Sequence, residues 1–213
     1  MNTSRLAAAT ALAAALALPR LARGQDPRLE RRLEAETRTR VALIIDSARA
    51  AGLPVEPLVD KALEGASKRA AGDRIVAAVR SLAAELRAAR EALGPGSTAA
   101  ELDAGASALH TGVRPVDLSR LRDARQRLEL TVPLAVLSDL VARGVPTDSA
   151  AAFVLQLATV ARDAEFVAFQ RDVDRDIALG APPVAAAAVR VNITVRDGIA
   201  QSNPAQPPPP RKP

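Results

Sequence analysis

His110 is the only histidine in the 213-residue chain, and imidazole is the commonest general base at neutral pH. Ser107 stands three residues before it and Asp103 seven, so on one helix the three share a side. A nucleophile, a base and an orienting carboxylate are the parts of acyl-transfer chemistry. A histidine ending a helix is equally well explained by its interaction with the helix dipole, and that is the reading adopted for His110 here. Asp172, Asp174 and Asp176 have the opening spacing of a calcium loop. Such a loop needs glycine at its sixth place and a bidentate glutamate at its twelfth, where Ile177 and Pro183 stand instead. With Arg171 and Arg175 beside them, these acids read as the charged side of a helix.

Two further patterns give way to simpler ones. Gly94, Gly96 and Ala99 have the spacing of a dinucleotide fingerprint, but a helical pattern rather than a strand precedes them. The stretch reads as a loop in which Ser97 or Thr98 caps the next helix, with Glu101 placed to complete a capping box with Thr98. Leu140 to Val154 resembles a helix-turn-helix. Its second helix, 148–159, carries no lysine, arginine or asparagine, and Gln156 alone is not enough for base readout without phosphate contacts.

Composition narrows the chemistry further. There is no cysteine, which excludes disulfides, thiolate metal sites and a cysteine nucleophile. Tryptophan and tyrosine are absent, and the aromatic residues are Phe153, Phe166 and Phe169, close enough in sequence to form one core cluster. Stacking on bases and aromatic sugar platforms are therefore unsupported. No cofactor and no metal is called for. A carboxylate-based hydrolase stays open, because the spacing of two catalytic acids is a tertiary property. The formal charge of +5 resides in the ends: residues 1–24 carry Arg5, Arg20 and Arg23 without an acid, and residues 190–213 carry Arg190, Arg196, Arg211 and Lys212 against Asp197. The 22 basic and 23 acidic side chains between them balance, so the sequence supplies no nucleic-acid-binding face. The preference for arginine over lysine, 26 to 3, with abundant alanine, is what a GC-rich bacterial genome encodes.

The elements that would position these residues are helices. Residues 1–24 read as a secretory signal peptide: Arg5, an apolar run from Leu6 to Leu18, then Ala22 and Gly24 before a cut at Gln25. The 13-residue run is short of the ~20 residues that span a bilayer, and no transmembrane span is expected elsewhere. Residues 25–190 form the expected helical domain. Asp26 and Pro27 open a first helix that Gly52 ends, with Leu29, Leu33, Val41, Ile44, Ile45 and Ala48 on one face. Periodicity predicts further helices near 55–66, 72–93, 98–111, 115–128, 132–143, 148–161, 163–179 and 183–190. Gly52, Gly112, Gly144 and Gly180 each begin a corner of glycine, a small apolar residue and, one or two places on, proline. The long interval between the first two holds a degenerate copy, in which Lys68 to Ala77 aligns with Arg143 to Ala152 but lacks the glycine. The fold class is thus all-α, about nine helices in a compact bundle or a short solenoid of helical hairpins. Residues 191–213 read as a disordered proline-rich tail, with Val191 to Val195 as a stray strand.

Subtraction leaves an exported, periplasmic or secreted protein-interaction or structural module, with an unknown protein partner, self-association into a homo-oligomer open, and no nucleic acid. The proposed contact face is the charge-poor stretch Thr131 to Ala161, through Val136, Leu137, Leu140, Phe153 and Leu157, unless those residues form the centre of a bundle.

Overall fold

A computed structural model describes residues 26–202, which form ten helices and, among the described residues, no strand. They are α1 (Pro27–Glu30), α2 (Ala35–Ala50), α3 (Glu56–Ser67), α4 (Gly72–Leu93), α5 (Ala99–His110), α6 (Pro115–Ala124), α7 (Thr131–Ala142), α8 (Thr147–Ala158), α9 (Asp163–Ala178) and α10 (Pro183–Ser202). The all-helical class follows from the sequence as expected. The proposed leader and the four-proline run lie outside the described residues.

Three boundaries differ from expectation, each for a tertiary reason. The first helix is two: Asp26 caps α1 by accepting from the Arg28 N–H (2.9 Å), and a break before Ala35 lets α1 lie against α3, with Arg28 2.8 Å from Glu56. Helix α6 stops at Ala124 because Arg125 leaves the helical backbone and turns its side chain inward. There its guanidinium donates to Asp163 (3.0 Å) and lies over the Phe166 ring at 5.4 Å. Helix α10 runs on to Ser202, so the domain boundary at 190 and the strand at 191–195 are both corrected. Ala187 and Val191 are buried and Val195 packs on the same core, a four-residue repeat that suits a helix on α8 and α9. Packing thus overrides the β preference of valine, isoleucine and threonine.

The corners have one backbone design. At Gly144 (φ +94°), the Gly144 N–H donates to the Val141 carbonyl (2.9 Å) and the Val145 N–H to the Leu140 carbonyl (3.0 Å). This pair of bonds satisfies carbonyls at the helix end and needs a left-handed residue, a conformation disfavoured by ~1–2 kcal/mol with any L side chain. Gly52, Gly112 and Gly180 repeat it. The degenerate copy repeats it too, with Arg69 at φ +54° in the glycine's place and Ala70 donating to the Gly65 carbonyl (3.0 Å). Leu53, Val113 and Val145, the residues after the glycines, are buried.

Packing runs along the chain in two layers. Helices α2, α4, α6, α8 and α10 each pack on the next of the set, and α5, α7 and α9 do likewise in the other layer, where α3 carries α1. This is the arrangement of stacked helical hairpins, which choose between the two expected architectures. One apolar core joins α1 to α5 and a second joins the end of α4 to α10. Helix α4, about 33 Å long, carries both α3 and α5 on its inner side. At Gly105 a Cβ would lie 3.1 Å from Ala89 and from Leu93, so α5 approaches α4 closely there.

Candidate functional site

A concavity of 1220 Å³ opens between α3 and α5, with α4 as its floor and α7 at one end. Helical periodicity decides what lines it. Ala100, Asp103, Ala104, Ser107 and His110 of α5 share one face, while Leu102, Ala106 and Ala108 on the other sides enter the cores. Helix α4 contributes Ala78, Ser81, Leu82 and Glu85, helix α3 Asp60, Lys61 and Glu64, and helix α7 Ala135, Ser138 and Asp139. The lining is mainly small and apolar, and its charge is mostly negative.

Asp103, Ser107 and His110 all line this groove, but the side chain beside the imidazole is a different one. His110 Nδ1 lies 3.0 Å from Glu85 Oε1, which also accepts from Ser81 Oγ (3.2 Å). Glu85, on the wet side of α4, is thus the carboxylate beside the imidazole, and the 25-residue separation left no local signal for the pairing. Asp103 stands elsewhere on the same wall, with no hydrogen bond or ion pair among the described residues. Burial in the groove, and secondarily the negative charge of Asp60 across it, push the Asp103 carboxyl above its ordinary range.

Glu101, two residues earlier, faces the opposite way and is 3% exposed. The capping box expected with Thr98 is present: the Thr98 N–H donates to Glu101 Oε2 (2.9 Å), and the Glu101 N–H donates to Thr98 Oγ1 (3.1 Å). Its other oxygen accepts from Arg122 of α6 (2.6 Å) and from the Leu130 N–H before α7 (3.0 Å). Burial alone would raise this carboxyl. The hydrogen bonds from Thr98, Arg122 and Leu130 outweigh it and hold Glu101 below its ordinary range. The knot joins α5, α6 and α7 behind the groove wall.

The proposed contact face is corrected. Val136, Leu137, Leu140 and Leu157 are at most 1% exposed and Phe153 is half-buried on the same core, so α7 and α8 spend this apolar surface inside the fold. The stretch is poor in charge because helices of both layers cover it, with α5, α8 and α9 around α7 and α6, α7 and α10 around α8.

The acidic run of α9 is ion-paired. Asp176 accepts twice from Arg190 (2.6 and 2.7 Å), Asp172 lies 3.1 Å from Arg175, and Asp174 lies 2.7 Å from Arg143, the residue that ends α7. Among the described residues no cluster of three or more acidic or histidine side chains is arranged to hold a metal ion. Nor, among them, is any helix long and apolar enough to cross a membrane. Fold and groove together define a two-layered helical array with one acidic, alanine-lined concavity. No family model matches the chain, and no curated protein or solved structure is similar to it.

Proposed function

We propose that the chain is an exported, non-catalytic protein-interaction module of the cell envelope, and that its contact surface is the groove between α3, α5 and α7. The single observation that carries this is the groove itself: small side chains of α4, α5 and α7, with charged ones of α3, surround an open concavity, in a stack of hairpins of the kind that commonly binds partners on such surfaces. Export is supported by Arg5, the apolar run Leu6 to Leu18 and the small residues at 22 and 24. Fractionation with N-terminal sequencing checks it, and a chain beginning near Gln25 outside the cytosol is the expected product. For the contact surface, a photo-crosslinking residue at Ala100 or Ala135 should capture a protein in the producing cell. The same residue at Arg87, outside the groove, should not. Equal capture at both places would remove the groove from the proposal.

A second reading, a carboxylate hydrolase, is favoured by one observation. Asp103 has a raised carboxyl and faces a second acid, Asp60, which is how acid and base roles are set apart in such enzymes. A turnover activity abolished by Asp103→Asn would establish it in place of the first.

A further inference from the structure

We propose that the groove takes up a cationic segment of a partner protein, rich in small apolar residues, whose arginine or lysine side chains are received by Asp60 and Asp103. This rests on the reading of the chain as an interaction module and adds the chemistry of the partner. Shape is the first argument. Ala78, Ala99, Ala100, Ala104, Ala135 and Ala142 line the groove, so an incoming backbone can approach α4, α5 and α7 closely. Its volume exceeds the ~300–1,000 Å³ usual for small-molecule pockets, and no phenylalanine is there to grip a flat ligand.

Charge is the second argument. Glu56, Asp60, Glu64, Glu85, Asp103 and Asp139 line the groove against Lys61 and His110. Four of the six carboxylates already have an arginine or lysine within ion-pair distance in the fold: Glu56 and Asp60 have Arg28, Glu64 has Lys61 and Lys68, and Asp139 has Arg143, while Glu85 is hydrogen-bonded to His110. Asp103 has none among the described residues, and Asp60, 3.8 Å from Arg28, shares that guanidinium with Glu56. Both acids line the groove, and the negative charge of Asp60 raises the cost of charge on Asp103. A guanidinium or ammonium between them relieves that repulsion, whereas an acidic segment or a nucleic-acid backbone adds to it.

The test uses the full chain and two labelled alanine-rich peptides of equal length, one with arginine at every fourth position and one with glutamate there. Fluorescence anisotropy at low salt should show the arginine peptide binding and the glutamate peptide failing to bind, with affinity falling as salt rises. The double change Asp60→Asn and Asp103→Asn should weaken binding about tenfold or more. Glu91→Gln, an exposed acid of α4 outside the groove, should leave it unchanged. Equal binding of the two peptides, or binding indifferent to the double change, overturns the proposal. So does free spermidine competing as well as the peptide, which would mark a site for small cations. Cross-linking from Ala100 to the chain's own residues 1–24 would also overturn it by making the occupant the chain itself. Groove cross-linking to a partner without any preference for the arginine peptide would defeat this inference alone. Failure of groove cross-linking would defeat the interaction reading beneath it.

Discussion

Glu101 and Asp103 are two carboxylates on one helix, two residues apart, with opposite surroundings. Glu101 is buried and both of its oxygens accept hydrogen bonds, from its own cap, from Arg122 and from the Leu130 N–H. Asp103 borders the groove with an acid opposite and no cation beside it. The backbone offers a parallel contrast: Gly144 suits its left-handed corner, while Arg69 holds the same conformation with a side chain. At Glu101 and Gly144 residue and environment agree. At Asp103 and Arg69 they do not, and substitution there should increase stability. A residue that opposes its environment without benefit to the fold is either tolerated or used, and the groove position of Asp103 points to use.

The largest expected effect is the loss of the Glu101 knot. Glu101→Ala should lower unfolding free energy by about 3 kcal/mol, because it strands the Arg122 guanidinium and the Leu130 N–H. Urea unfolding measures it, and a loss under about 1 kcal/mol would mean that the knot is no more than an exposed ion pair. Gly144→Val comes next, at about 1–2 kcal/mol, from forcing a β-branched residue to positive φ. If the Gly144→Val protein proves as stable as wild type, the shared corner design is wrong at its best-formed example. Arg69→Gly should have the opposite sign, a gain of about 0.5–1 kcal/mol, with the strain relieved set against glycine's freer unfolded chain. A loss on that substitution would mean that the Arg69 side chain makes a contribution of its own.

The smallest effect is the most telling for function. Asp103→Asn should stabilise the fold by no more than about 0.5 kcal/mol, as befits an accessible groove position. Its signature is the dependence on pH. A carboxyl raised in the folded state adds no penalty below the ordinary aspartate value of 3.8. The penalty grows as pH rises from there through the folded value, so the advantage of the Asp103→Asn protein should appear over that window. Glu101 works the other way: its contribution is fully present above the ordinary glutamate value of 4.5 and is lost as pH falls through the lowered folded value. Unfolding curves for Glu101→Gln and Asp103→Asn across acid pH should therefore approach wild type together at the acid end, from opposite sides. Curves displaced from wild type by a constant amount would show that neither carboxyl is shifted by its neighbours.

By itself the sequence determined what repeats locally. Apolar spacing marked nearly every helix, the glycine corners marked where helices end, and Thr98 with Glu101 marked a cap, because each depends on residues within about five positions of one another. Even the degenerate corner was legible from Lys68 to Ala77, although nothing local revealed that Arg69 itself takes the left-handed conformation. Only the tertiary structure decided the rest. It broke the first helix before Ala35, turned Arg125 inward onto Phe166 and carried α10 through Val191 to Ser202. It buried the supposed contact face of α7 and α8 inside the stack, since an apolar stripe looks the same whether it meets a partner or its own chain. It also set Glu85 beside His110, and Asp103 opposite Asp60, across separations of 25 and 43 residues. The groove exists because α3 and α5 both lie along the long α4 without closing on each other, a relation between elements that no periodicity within a single element encodes.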